Sequence, residues 1–336
     1  MLSSPIKATS NKSKLANIPI GNSIKKQEQK KSKVIPIVLG STITCVGAYT
    51  LLTVCAKTAL YPGITCRKDP IYSNKKLIVS EINIKGLRGA TYKKKHPEGE
   101  KFKGKYVIVF PGNYMLASEM IPSVEPFLSE GATIVAVDYP GYGSSKLRLP
   151  ALRLNQKKIY EAGDNIFDYV NQTLGIPEQE MIIFGYSLGG AIASHVFAKS
   201  CQKEKAPHAV ILASPLCGVN KVSIPIAEFV TGSELNTVKN FKDIEKIKDT
   251  SKIISLKRKT KIIILGGGRN DWLSDSVTGL STKLKHDGWN PDIFISTALG
   301  HCDLTNMISG NFNKIKNSLH SDLESLFKKN LDIPKK

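Results

Sequence analysis

The sequence predicts an α/β protein built on a mostly parallel sheet with helices on both faces. From Leu77 onward, short β-branched runs alternate with helical stretches, the pattern of parallel strands joined by crossover helices. Most of these runs are apolar at every position, as strands buried on both faces must be. One of them, residues 181–184, passes through Gly185-Tyr186-Ser187-Leu188-Gly189 into Gly190-Ala191-Ile192-Ala193. Strand, sharp turn and helix form the context in which Gly-x-Ser-x-Gly holds its serine on a strained elbow.

Taken in order, residues 1–33 are polar, rich in Lys and free of aromatics, a composition that cannot bury a core and predicts a disordered tail. Residues 34–56 contain no charged side chain. As a helix these 23 residues span about 34 Å, which predicts one transmembrane anchor. The competing reading is a cleaved signal sequence ending at Val54-x-Ala56. Val54 is bulky for that role and the basic leader is long. Lys25, Lys26, Lys30, Lys31 and Lys33 favour a cytoplasmic N-terminus, but Lys57, Arg67, Lys68, Lys75 and Lys76 pull the other way, so the orientation is left open.

A linker over 57–76 leads into a catalytic domain over 77–330. Strands are predicted at 77–84, 106–110, 133–137, 181–184, 210–213, 261–265 and 293–296, and helices at 154–174, 188–199, 276–286 and 311–329. Residues 217–258 are more than one connecting helix needs and include an apolar stretch, Ile224-Pro225-Ile226-Ala227-Glu228-Phe229-Val230. They predict a small cap over the active site; a long surface connection is the plain alternative.

The formal net charge is +20, and most of it flanks the apolar segment. Residues 1–33 hold eight Lys against one Glu, and 57–105 hold thirteen Lys or Arg against four acids. Such a collar suits anionic lipid headgroups. No basic stripe interleaved with aromatics occurs, so nucleic acid is not the expected partner. Lys93-Lys94-Lys95 and Lys101, Lys103 and Lys105 read as a solvated loop between strands. The six cysteines have no CxxC or metal-ligand spacing, which predicts neither a disulfide framework nor a metal. Cys55 and Cys66 are juxtamembrane thiols that could carry an acyl chain or stay free.

A serine hydroxyl needs a base to take its proton, and that base is most often a histidine oriented by a carboxylate. Of six histidines, His301 lies on the loop after the last predicted strand, while His96, His195, His208, His286 and His320 lie on exposed or misdirected stretches. The acid should follow the preceding strand, where Gly266-Gly267-Gly268-Arg269-Asn270-Asp271 places Asp271, with Asp275 as the fallback. The order Ser187, Asp271, His301 is that of the α/β hydrolases. Two backbone N–H groups should form an oxyanion hole: Leu188 after the nucleophile, and Asn113, or alternatively Tyr114, in the turn after the strand at 106–110. Asp138-Tyr139-Pro140-Gly141-Tyr142-Gly143-Ser144-Ser145 reads as a tight loop with no catalytic role. No metal or organic cofactor is required.

The chain resembles the α/β-hydrolase superfamily over residues 75–330. The resemblance rests on Pro111-Gly112-Asn113, Asp138-Tyr139-Pro140-Gly141-Tyr142-Gly143, the elbow at 185–189, Gly268-x-x-Asp271 and Gly300-His301. Within it the chain is most similar to membrane-anchored, single-helix lipases and depalmitoylases. That resemblance implies an α/β-hydrolase fold of about eight strands and hydrolysis of an acyl ester or thioester, in a lysophospholipid, a monoacylglycerol or an acylated protein. Relatives usually carry His before the Gly of the oxyanion turn, where this chain has Pro111. An aminopeptidase-type peptidase, an acyltransferase and a catalytically silent membrane scaffold are the alternative readings. The sequence carries no signal of oligomeric state.

Overall fold

The computed structural model describes residues 71–145, 154–218, 235–268 and 271–320, together with Ala48, Thr50, Leu51 and Cys55. The chain divides into two units, Met1–Leu51 and Leu52–Lys336, and the fold below belongs to the second. The basic tail, nearly all of the predicted anchor, most of the linker and Cys66 lie outside the described residues. Among the described residues no helix is long and apolar enough to cross a membrane.

The core is an eight-stranded sheet in the order β1-β2-β4-β3-β5-β6-β7-β8. Its strands are β1 Leu77–Ile84, β2 Leu87–Lys94, β3 Tyr106–Phe110, β4 Thr133–Val137, β5 Met181–Tyr186, β6 Ala209–Ala213, β7 Lys261–Gly267 and β8 Asp292–Ser296. From β4 to β8 every pairing is parallel, and β1 and β2 close one edge antiparallel. The central strands are buried along nearly their whole length, which is why they read as unbroken β-branched runs. Alternate residues feed two cores. Ile108 and Phe110 face one layer of helices, and Val107 and Val109 face the other.

The helices are α1 Glu125–Ser129, α2 Gln156–Asp168, α3 Leu188–Gln202, α4 Thr237–Ile244, α5 Thr250–Lys259, α6 Ser274–His286 and α7 Leu304–His320, with a 3₁₀ turn at Ala117–Met120. Ile159 and Ile166 of α2, Val196 of α3, Phe241 of α4 and Leu280 of α6 pack in the first core. Phe127 of α1 and Leu304, Ile308 and Ile315 of α7 pack in the second. Of the predicted cap segment, 219–234 lies outside the described residues, and α4 and α5 belong to the helical layer. Phe241 of α4 packs edge-on against Trp289 and tilted against Phe197 of α3.

One expectation is corrected at the sheet edge. Lys93 and Lys94 are not loop residues but the end of β2, in register with β1 and, through Lys93, with β4. Lys94 is nearly buried and forms ion pairs with Glu98 at 2.7 Å and Glu125 at 2.8 Å. β2 escapes a hydrophobic-run search because Leu-Arg-Gly-Ala-Thr-Tyr-Lys-Lys buries only Leu87, Ala90 and Tyr92 and contains Gly89. That glycine is required: a Cβ there would sit 2.2 Å from the Ala136 carbonyl oxygen of β4.

Helix-interior glycines with open surroundings behave in the opposite way. Gly279 in α6 and Gly310 in α7 have nothing within 4 Å of an added Cβ. Gly279→Ala and Gly310→Ala should each raise stability by about 0.5–1 kcal/mol, measured as a shift in the urea midpoint at unchanged slope. Gly89→Ala should lower it and fail to yield soluble protein at the wild-type level.

Candidate active site

β5 ends at Tyr186 and α3 begins at Leu188, so Ser187 must turn the chain in one residue. It does so at φ 52° and ψ −116°, a conformation that non-glycine residues rarely hold and that costs about 1–3 kcal/mol. Its neighbours hold it there. The Ser187 N–H donates to the Ala213 carbonyl at the end of β6, and the Ser187 carbonyl accepts from the Leu216 N–H. The glycines on either side are fixed by contact. A Cβ on Gly185 would meet the Gly189 carbonyl oxygen at 2.3 Å, and one on Gly189 would meet the Phe110 carbonyl oxygen at 1.9 Å.

The loop after β8 carries His301 to this elbow. Its Nε2 lies 3.0 Å from Ser187 Oγ and its Nδ1 lies 2.9 Å from Asp271 Oδ1. Since the carboxylate can only accept, Nδ1 carries the proton and Nε2 is left to accept from the serine hydroxyl. Asp271 is 1% exposed. Oδ1 also accepts from the Leu273 N–H, and Oδ2 accepts from Ser214 Oγ at 2.5 Å and from the Gly267 N–H. Burial works to raise its pKa, but the hydrogen bonds from His301, Ser214 and Leu273 outweigh it and bring the carboxyl down to about 2. Asp275 is exposed, in the first turn of α6, and does not join this group.

The glycines after β7 let the two loops meet. A Cβ on Gly267 would lie 2.6 Å from the Leu299 carbonyl oxygen, and one on Gly268 would lie 2.3 Å from that of Thr297. The turn after β3 is pressed on the start of α3 by the same device: a Cβ on Gly189 would also lie 2.6 Å from the Pro111 carbonyl oxygen. Tyr114, next in that turn, has φ 59° and is 61% exposed, and its N–H donates to Asn113 Oδ1.

The remaining histidines lie elsewhere. His195 stacks on Tyr160 at 4.0 Å between α2 and α3, beside Asp164. His208 is within hydrogen-bond distance of the Leu319 carbonyl at the amino end of β6. His96, His286 and His320 are exposed.

Several residues around the triad were not singled out from the sequence. Ser214 follows β6 and supports Asp271. Tyr186 donates to the His301 carbonyl at 2.6 Å and stacks on its ring, and Trp272 packs 4.6 Å from that ring. In the Asp138–Ser145 loop, the Tyr139 hydroxyl donates to the Pro111 carbonyl at 2.9 Å and the Tyr142 hydroxyl to Asn113 Oδ1 at 3.3 Å. Among the described residues no cluster of His, Cys, Asp or Glu could hold a metal ion.

Comparison with known proteins bears on the family and the fold. The model of the family Hydrolase_4, described as serine aminopeptidase S33, matches residues 103–287. A multifunctional-autoprocessing repeats-in-toxin protein of Vibrio cholerae is 26% identical over 192 residues, 56% of this chain and 4% of the toxin. The chain therefore corresponds to a small part of that relative. The lysophosphatidylserine lipase ABHD12 of Gallus gallus is 31% identical over 93 residues, 28% of this chain and 23% of the lipase. The crystal structure of an alpha-beta hydrolase from Vibrio vulnificus superposes with a TM-score of 0.63 at 21% identity, covering 80% of this chain and 93% of that one. That likeness establishes the α/β-hydrolase fold with its mostly parallel eight-stranded sheet and helices on both faces.

The lowered carboxyl has a consequence for acid stability. A carboxylate whose folded pKa lies below its unfolded value stabilises the fold above about pH 4 and loses that contribution as the pH falls through about 2. The stability difference between wild type and Asp271→Asn should therefore shrink over that interval, by on the order of 2 kcal/mol, in urea titrations followed by circular dichroism.

Proposed function

The chain belongs to the Hydrolase_4 family (serine aminopeptidase, S33), and from that premise we propose that it is a membrane-anchored serine hydrolase cleaving an acyl ester or thioester of a lipid or an acylated protein. The observation that carries the proposal is His301, which spans Ser187 Oγ and Asp271 within hydrogen-bond distance of both. In the proposed reaction His301 Nε2 takes the Ser187 proton as Oγ attacks the acyl carbonyl. Asp271 holds the imidazole and stabilises its cation. The carbonyl oxygen becomes an oxyanion received by the Leu188 and Asn113 N–H groups. The imidazolium returns the proton to the departing alkoxide or thiolate. Water, deprotonated by the same nitrogen, then releases the acid and regenerates Ser187.

An exposed apolar side chain beside His301 supports an acyl substrate: Trp272, at 55% exposure. The uncharged 34–56 segment and its basic collar support attachment to a membrane with anionic headgroups. The relative whose name gives lysophosphatidylserine as its substrate favours a lysophospholipid. The family description favours a second reading, cleavage of an amino-terminal residue from a peptide.

Labelling with a lipid-like fluorophosphonate tests the enzyme itself. It should be complete in the wild type and fall at least about 10³-fold in rate in Ser187→Ala and in His301→Ala; undiminished labelling of Ser187→Ala would remove the proposal. A series of p-nitrophenyl esters set against aminoacyl naphthylamides separates the readings. Turnover rising with acyl length is expected, and faster cleavage of the amides would transfer the assignment to the peptidase.

A further inference from the structure

The second residue of Gly-x-Ser-x-Gly is free in the motif, yet in this chain Tyr186 touches three parts of the site. Its backbone ends β5 directly before Ser187, in register with Ala213, whose carbonyl receives the Ser187 N–H. Its hydroxyl donates to the His301 main-chain carbonyl at 2.6 Å. Its ring lies near-parallel to the His301 imidazole, with centroids 5.3 Å apart and 27° between planes. The edge of the same ring is 2.9 Å from where a Cβ on Gly112 would stand, so it also abuts the turn that carries Asn113. Tyr186 itself is 6% exposed. A second ring, Trp272, packs against the imidazole with centroids 4.6 Å apart, and it is the half-exposed one.

We propose that Tyr186 is a positioning residue that fixes His301 against Ser187, and that Tyr186 and Trp272 together form an aromatic clamp on the imidazole. The inference rests on the reading of His301 as general base. The clamp has a chemical role because the base becomes a cation only during the reaction. Aromatic faces within about 6 Å of a cation attract it, so the clamp favours the imidazolium of the transition state over the neutral ground state and acts on kcat. Its hydroxyl acts differently, by restricting where the ring can be. The His301 loop has hydrogen bonds of its own, from the Gly300 N–H to Asp303 Oδ2 and from the Gly268 N–H to the Leu299 carbonyl. It therefore keeps its fold when the Tyr186 hydroxyl is removed and loses one constraint on His301, beside those from Asp271 and Trp272.

Tyr186→Phe, assayed in the full chain on a soluble p-nitrophenyl ester, should lower kcat by about tenfold or more with KM within about twofold. The downfield proton resonance of His301 Nδ1–H bonded to Asp271 should broaden in the same variant. A merely structural role would lower the melting temperature and leave both quantities unchanged well below it. Trp272→Ala, at a half-exposed position, should also lower kcat and serves if Tyr186→Phe does not accumulate. Ser187→Ala and His301→Ala are measured alongside. If both abolish turnover while Tyr186→Phe keeps wild-type kcat and a sharp resonance, the positioning role is overturned. If Trp272→Ala keeps wild-type kcat, the clamp is overturned. If Ser187→Ala retains turnover, the parent reading fails instead.

Discussion

The site depends on one close approach, that of Gly189 to the backbone after β3. No side chain fits between the first turn of α3 and the Phe110 carbonyl, since a Cβ on Gly189 would lie 1.9 Å from that oxygen. This contact seats the helix that follows Ser187 directly against Phe110 and Pro111, at the start of the Asn113 turn. It also explains why Ser187 can hold φ 52°. The strain of about 1–3 kcal/mol is offset by a helix, two strands and the Leu216 N–H that fix its position. A relaxed Ser187 would have to withdraw α3 from β3 and give up the packing of both.

Burying the acid raises a second requirement. A carboxylate that is 1% exposed must have its lone pairs occupied or it will take up a proton. Asp271 meets this with four donors drawn from the end of β6, the end of β7, its own loop and the His301 loop. Ser214 is the decisive one, because it belongs to the same β6 exit whose Ala213 carbonyl holds the Ser187 N–H. Ser187 and Asp271 are thus tied to adjacent residues of a single strand end. His301 lies between them, within hydrogen-bond distance of both.

How much of this was legible in the sequence follows from how local each signal is. The central strands were legible because burial on both faces leaves an unbroken β-branched run, and 106–110 and 133–137 are the strands found. The elbow and the loop histidine were legible because motif and strand order place them. β2 was not, since a strand buried only at Leu87, Ala90 and Tyr92 and carrying Arg88, Lys93 and Lys94 has no such run. Ser214, Tyr186 and Trp272 were not legible for another reason. Each acts across 30 or more positions of chain or through ring contact, and nothing in the residue itself marks which serine or tyrosine will be there. Tyr186 stood inside the motif and was still passed over, because the motif constrains only the residues around it.

The departure at Pro111 is best understood through the loop that had been read as idle. Proline has no N–H, so the start of the turn after β3 cannot be anchored by donating a backbone hydrogen bond at that position. It is anchored through its carbonyl instead, which receives the fully buried Tyr139 hydroxyl at 2.9 Å. Tyr142 packs edge-on against Tyr139 at 5.5 Å and reaches the side-chain oxygen of Asn113. Burial raises the Tyr139 phenol well above its ordinary value, so the hydroxyl stays protonated and can donate this bond. The loop is fastened at its base, where Asp138 Oδ1 accepts from the Ala117 N–H and the Asp138 carbonyl accepts from Ser145 Oγ. Ser145 Oγ in turn accepts from the Arg88 N–H of β2. A chain of hydrogen bonds and ring contact therefore runs from the antiparallel edge of the sheet to the turn that carries Asn113. The edge hairpin, remote from the triad in sequence, is what gives that turn a fixed support in the absence of a backbone donor.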